Sequence, residues 1–156
     1  MEGELRRIRG VVDYQFGPGC GMALFPDSVT ITHSRNTGRI RHIHLDGALL
    51  ATLRPTDGLF TLTMAGAERL VSKVVDLDYA VTLADDVAEF VAEGRNVFAK
   101  HVVDAGDDVR PGDEVIVLDS KRSVLAVGRA MLNREEMLAF DVGVAVRVRR
   151  GRSRHR

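Results

Sequence analysis

The sequence contains no tryptophan, and aromatic residues make up only 5% of its 156 positions. Its core must therefore be filled mostly by Val, Leu and Ala. Cysteine occurs once, at Cys20. A lone thiol excludes an internal disulfide and points to a cytoplasmic setting. No apolar run approaches the roughly 18 residues of a membrane span, so no membrane association is expected. The start, MEGELRRIRG, has charge but no apolar stretch, and no secretory leader is expected from it. No repeat of solenoid period is visible. What is present, 45% apolar residues, is the composition of an ordinary globular protein. The length suits one ordinary domain or two small ones.

The formal net charge is zero, from 22 basic and 22 acidic residues. Zero is not the signature of a nucleic-acid binder, but the distribution is uneven. Residues 71–146 hold 8 Lys/Arg against 15 Asp/Glu, whereas residues 147–156 hold six arginines and no acid. A local positive stripe can bind phosphate while another face stays acidic. The alternative is a solvated acidic face with a disordered basic end.

Two pieces are expected, divided near Leu70-Val71-Ser72-Lys73: an α+β unit over 1–71, a β-barrel over 72–150, and a basic, disordered tail over 151–156. In the first piece, Ile8–Asp13 reads as a strand and GPGCG as a glycine-rich turn. Val29–His33 and Ile40–Leu45 alternate as strands. Asp46-Gly47 is the strongest hairpin turn in the chain. Leu49–Leu53 is its return strand, and Phe60, Leu62 and Met64 mark another. In the second piece, Lys73–Val81 suggests the first barrel strand. Thr82 with Asp85 reads as a helix N-cap, and Val87, Phe90 and Val91 form the apolar stripe of a short helix. Gly94 sits where that helix needs a left-handed stop. Strands follow at about 96–103, 113–119 and 124–130. Asn133 and Glu136 have capping-box spacing for a second short helix, before a last strand from Val144. The fold class is thus a small α+β domain followed by a mixed β-barrel with two short helices.

No pair of carboxylates, nucleophile–base set or P-loop is present, and no catalytic residue is assigned. His33, His42 and His44 lack a carboxylate or cysteine at a familiar zinc spacing, so neither metal nor cofactor is expected. Cys20 reads as a small residue in a tight turn. The richer signal is Gly94-Arg95-Asn96. It can admit a phosphate to a bare backbone with Arg95 and Asn96 as donors, or it can be a plain helix stop. Phe98 can stack on an unpaired base or fill the core, and alternation does not decide. Lys100 suits phosphate better than the core, since an unpaired buried lysine is costly. Arg147 and Arg149 extend the positive stripe. Arg35, Arg39 and Arg41 surround an Asn-Thr-Gly turn and form either a second phosphate patch or a solvated loop.

Several motifs in one order carry a resemblance. Leu83-Ala84-Asp85-Asp86, Gly94-Arg95-Asn96-Val97-Phe98-Ala99-Lys100, Arg110-Pro111-Gly112-Asp113-Glu114-Val115, Leu125-Ala126-Val127-Gly128-Arg129-Ala130 and Gly143-Val144-Ala145-Val146 resemble a PUA domain. That RNA-binding module is named after pseudouridine synthase and archaeosine transglycosylase. Tyr14-Gln15-Phe16-Gly17, Ser34 to Ile40, Leu50 to Arg54 and Asp57 to Phe60 look like the domain just before the PUA module in archaeal tRNA-guanine transglycosylase. The resemblance implies a pseudobarrel fold. It implies a non-catalytic, archaeal-type RNA-binding protein that binds tRNA in association with archaeosine-type tRNA modification, beside a tRNA-modifying catalytic subunit. The alternative is a protein-interaction or assembly subunit docking onto a transglycosylase or ribosome-biogenesis complex. The implied RNA-binding residues are Gly94, Arg95, Asn96, Phe98, Lys100, Arg147 and Arg149, with Arg35, Arg39 and Arg41 as the second patch.

Overall fold

The computed structural model of the chain describes residues 2–153. The backbone divides into two compact units, Met1–Asp76 and Leu77–Arg156. Helix α3 runs through residues 71 and 72, so the division falls after it.

The first unit opens with α1 (Glu2–Phe16) and α2 (Cys20–Leu24). A four-stranded antiparallel sheet follows in sequential order: β1 (Thr30–His33), β2 (Ile40–Leu45), β3 (Ala48–Leu53) and β4 (Phe60–Leu62). Helix α3 (Met64–Lys73) closes the unit. The strand expected at Ile8–Asp13 is the second half of α1. Leu5, Ile8, Val12 and Phe16 recur at helical spacing and are all buried, which a six-residue window cannot show. Asp13 instead holds the next turn, its Oδ1 accepting the Gly21 N–H at 2.7 Å. Cys20 stands in α2 rather than in a turn, buried, with burial raising its thiol pKa. The Asp46-Gly47 turn forms as expected, with both residues at positive φ. Met64 does not prolong β4. Thr63 caps α3 by accepting the Gly66 N–H at 3.1 Å, and this local bond ends the extended run.

The second unit is a six-stranded mixed sheet of order β6-β10-β9-β8-β5-β7. Its strands are β5 (Ala80–Leu83), β6 (Val97–Phe98), β7 (Val102–Ala105), β8 (Glu114–Leu118), β9 (Val124–Ala130) and β10 (Val144–Gly151). Its helices are α4 (Ala88–Ala92) and α5 (Arg134–Ala139). The strand expected over 96–103 is two strands, β6 and β7, on opposite edges of the sheet. A single 3-10 turn, Ala99–His101, joins them. That turn brings the two edges together and nearly closes the barrel. The first barrel strand is β5 rather than the expected Lys73–Val81: α3 takes Lys73, and residues 74–79 are irregular. Thr82 is no N-cap. It lies in β5, paired with Asp104 on one side and Leu118 on the other. Asp85 opens the helical segment as part of a 3-10 turn. Its carboxylate accepts the Ser120 hydroxyl (2.6 Å) and N–H (3.1 Å), which lowers its pKa. The capping box of α5 forms as read: the Asn133 side chain accepts the Glu136 N–H at 2.8 Å, and the Glu136 carboxylate accepts the Asn133 N–H at 2.9 Å.

The barrel core is aliphatic, with Val81, Leu83, Val97, Val115, Val117, Leu125, Ala126 and Val146 at its centre. Residues 151–153, expected in a disordered tail, are hydrogen-bonded. Gly151 pairs with Ala126 in the ladder, the Arg152 N–H donates to Leu125 and the Ser153 N–H to Ala92, each at 2.8 Å. The backbone of β9 and α4 still offers acceptors there, so the chain continues. Residues 154–156 lie outside the described residues.

Candidate nucleic-acid interface

The site is organised by the end of α4. Gly94 has φ of 111°. Its N–H donates to Val91 (2.9 Å) while the Arg95 N–H donates to Phe90 (3.2 Å). These two bonds are the paired contacts of a Schellman stop. The helix stop therefore accounts for Gly94. It also turns Arg95 and Asn96 outward at the mouth of β6.

Beyond that turn, β6 resolves the ambiguity of alternation. Val97 is buried, and Phe98 is 47% exposed. Val144 and Val146 of β10 hold the strand from one side. Asn96 is exposed, and its Oδ1 accepts the Val148 N–H at 2.9 Å. Its carbonyl end thus pins the loop to β10, and only the amide nitrogen end can serve as a donor to a ligand. Phe90, expected on the buried stripe of α4, is 54% exposed. Val91 and Ala92 take the core positions of that short helix instead. The Arg95 guanidinium carbon lies 5.8 Å from the Phe90 ring centroid, a cation–π arrangement.

These residues line one groove of about 260 Å³: Val87, Phe90, Arg95, Asn96, Phe98 and His101, with Val91 and Val97 among its walls. It has two exposed aromatic faces, a guanidinium and an imidazole around an apolar floor. Such a lining has the chemistry to stack a flat aromatic group, with cations at its rim for an anion. Lys100 is exposed on the adjoining 3-10 turn. Phe90 and His101 are not among the RNA-binding residues that the sequence suggests. The helical spacing of Phe90 points to the core, and His101 stands on a 3-10 turn where the sequence suggests a strand.

On β10, Arg147 is exposed and Arg149 is not at liberty. Arg149 makes a bidentate ion pair with Glu114, one bond at 2.9 Å and a second from its other terminal nitrogen. Glu114 is 2% exposed. In the first unit, Arg35 lies in the Ser34–Gly38 turn, Arg39 at its exit and Arg41 on β2. Nearby, His42 bonds Thr52 Oγ1 (3.2 Å), and burial, Arg41 and His44 lower its pKa. A neutral His42 adds no charge to that patch at pH 7. His33 pairs with Glu4 at 2.7 Å, which lowers the Glu4 pKa.

Phe98→Ala tests the groove. Half-exposed, Phe98 is expected to contribute little to stability, so the melting temperature should stay within a few degrees of the parent. RNA affinity should fall by about 1–3 kcal/mol, the usual loss for one stacking aromatic. Gly94→Val is expected to destabilise by roughly 1–2 kcal/mol through backbone strain alone, read by urea denaturation. A neutral result there would mean that the Schellman stop is not formed in solution.

Comparison with known proteins places both units. Residues 6–76 match the family described as "Patch-forming domain C2 of tRNA-guanine transglycosylase", and residues 79–152 match the PUA domain. The chain is 41% identical over 148 residues to tRNA-guanine(15) transglycosylase of Methanothermobacter thermautotrophicus, covering 95% of the chain and 23% of that protein. It is 44% identical over 151 residues to the enzyme of the same name from Thermococcus kodakarensis, covering 96% and 26%. The chain spans about a quarter of the length of these relatives and matches their C-terminal part. Among solved structures, a hypothetical protein from Pyrococcus horikoshii aligns with a TM-score of 0.77 at 18% identity, covering 97% of this chain and 91% of the other. A conserved PUA domain protein from Thermoplasma acidophilum aligns with a TM-score of 0.73 at 19% identity, covering 98% and 91%. At those identities the structural likeness concerns fold alone.

Proposed function

The chain is a PUA-domain protein resembling the C-terminal region of archaeal tRNA-guanine transglycosylase, and from that premise we propose that it binds tRNA for a tRNA-modifying catalytic unit and catalyses nothing itself. The PUA domain is an RNA-binding fold, and the groove beside α4 and β6 supports its use here. The single observation that carries the reading is the exposure of Phe98 and Phe90 in a groove with Arg95. Exposed aromatics beside a guanidinium, with Lys100 next to them, are suited to a single-stranded end leaving a helical stem.

In this reading each residue has a part. Phe98 and Phe90 stack an unpaired base. Arg95, Lys100 and Arg147 neutralise phosphates, and the Asn96 amide nitrogen donates to one. Gly94 leaves the approach open. Glu114 keeps Arg149 as a brace of β10. Arg35, Arg39 and Arg41 provide a second phosphate patch on the first unit. No helix among the described residues is long and apolar enough to cross a membrane.

The test is RNA crosslinking in cells followed by sequencing of the bound species. Enrichment of tRNA, with crosslinks near a 3′ single-stranded end, is the expected result. Recovery of protein partners with no RNA would instead favour an assembly subunit, a reading that the acidic balance of residues 71–146 supports. Purified protein incubated with tRNA and free guanine should show no base exchange. Exchange by this chain alone would overturn the non-catalytic part.

A further inference from the structure

We infer that Arg129 and Arg147 together form a phosphate-binding subsite on the outer surface of β9 and β10, a second anchor for the RNA strand beyond the groove. The inference rests on the RNA-binding reading and adds a residue, Arg129, that is not among the RNA-binding residues expected from the sequence.

The geometry begins with strand register. Arg147 of β10 is the direct cross-strand partner of Arg129 on β9, and Arg129 is in turn the partner of Glu114 on β8. Residues directly opposite in a ladder share a face, with Cβ atoms about 4.5–5.5 Å apart. A row Glu114–Arg129–Arg147 therefore crosses three adjacent strands. Both arginines are exposed. Glu114, the carboxylate in the row, has both oxygens engaged by Arg149. Among the described residues, no acid forms an ion pair with Arg129 or Arg147.

Like charges directly opposite on neighbouring strands destabilise a sheet. A surface shaped for stability alone would place an acid at one of the two positions. This chain has the acid in the row and commits it to a third arginine. Arg149 holds the Glu114 carboxylate, and Arg129 and Arg147 form no ion pair among the described residues. An anion laid between Arg129 and Arg147 removes the repulsion. Two planar forks side by side match the oxygens of a phosphodiester, in a way that lysine point charges do not.

The position fits a continuous strand path. Asn96, at the lip of the groove, bonds the N–H of Val148, the residue after Arg147. The arginine pair therefore starts one residue from the point where the groove is fastened to β10. A strand whose unpaired base sits between Phe90 and Phe98 can run its backbone past Arg95 and Asn96 onto Arg147 and then Arg129.

The test is binding of an unmodified tRNA transcript, measured as a function of salt, by the parent, Arg129→Gln, Arg147→Gln and the double variant. Each single change should lower affinity and reduce the slope of log affinity against log salt by about 1. The melting temperature of Arg129→Gln should be unchanged or raised, because a repulsion is relieved. A purely structural arginine would give a lower one. Parent-like affinity and slope in Arg129→Gln, with Lys100→Ala impaired, would overturn the arginine pair while leaving the groove reading intact. No binding by the parent protein would overturn both. A fall in the melting temperature of Arg129→Gln, with affinity restored by Arg129→Lys, would also count against it, since lysine cannot reproduce the fork.

Discussion

Replacing Arg149 with methionine is expected to destabilise the protein by about 3–5 kcal/mol, the usual result of breaking a buried ion pair from one side. The asymmetry of the pair drives the effect. The Glu114 side chain is 1% exposed and that of Arg149 is 40% exposed. Removing the arginine leaves a carboxylate in the interior without its bidentate partner, and its desolvation is no longer offset. Removing the acid leaves an arginine that can turn to water. Glu114→Gln should therefore cost less than Arg149→Met, even though both break the same pair. The value for Arg149→Met should fall toward the lower end, because water reaches the guanidinium. Urea denaturation with an unchanged slope would measure both. Equal losses in the two variants would contradict the asymmetry, and no loss in Arg149→Met would show that the pair does not brace β10. Tight RNA binding that survived in a destabilised Arg149→Met would support the division of labour between Arg149 and Arg147.

Much of this architecture could be read from local chemistry. Asp46-Gly47 specifies its own hairpin, and Asn133 with Glu136 specifies a helix start that tertiary context does not alter. The failures have a common physical form. Ile8–Asp13 is shorter than two helical turns, and within it Ile8, Val11 and Val12 do not separate helix from strand. Only the longer set Leu5, Ile8, Val12 and Phe16 separates them. The segment 96–103 carries strand formers at both ends, Val97-Phe98 and Val102-Val103, yet closing the barrel requires the chain to leave one edge and join the other. Ala99–His101 supply that turn with no Gly or Pro to mark it. Phe90 obeys helical spacing, but α4 has only five residues, too few to bury a full stripe.

The candidate site was legible to the extent that it depends on sequence neighbours. Gly94, Arg95, Asn96, Phe98 and Lys100 fall on one loop and strand, so a motif can collect them. What a motif cannot collect is cross-strand register. Arg129 meets Arg147, and Glu114 meets Arg149, only because β8, β9 and β10 pair as they do. The stripe of arginines on β10 was visible from its charge. Which of them is held by a carboxylate depends on a residue 35 positions away.

Affinity for tRNA should fall about 50- to 150-fold between 50 and 200 mM monovalent salt. The figure follows from the four barrel cations assigned to the RNA path, Arg95, Lys100, Arg129 and Arg147, all exposed. Each neutralised phosphate releases about 0.7–0.9 of a counterion, so four contacts give a slope of roughly −2.8 to −3.6. Arg149 is left out of the count because Glu114 already compensates it. Arg35, Arg39 and Arg41 would steepen the slope further if the first unit also touches the same RNA, which makes the measured value diagnostic. A slope of about −3 to −3.5 implicates the barrel alone. A slope near −6 implicates the second patch as well, and Arg35→Gln should then reduce it. A slope near zero would contradict phosphate recognition altogether. The acidic residues between positions 71 and 146 sharpen the expectation. They repel any polyanion that approaches from another side, so non-specific duplex DNA should bind weakly under conditions where tRNA still binds. An affinity for duplex DNA equal to that for tRNA would mean that the cations act as a diffuse field, without the groove that Phe90, Arg95 and Phe98 form.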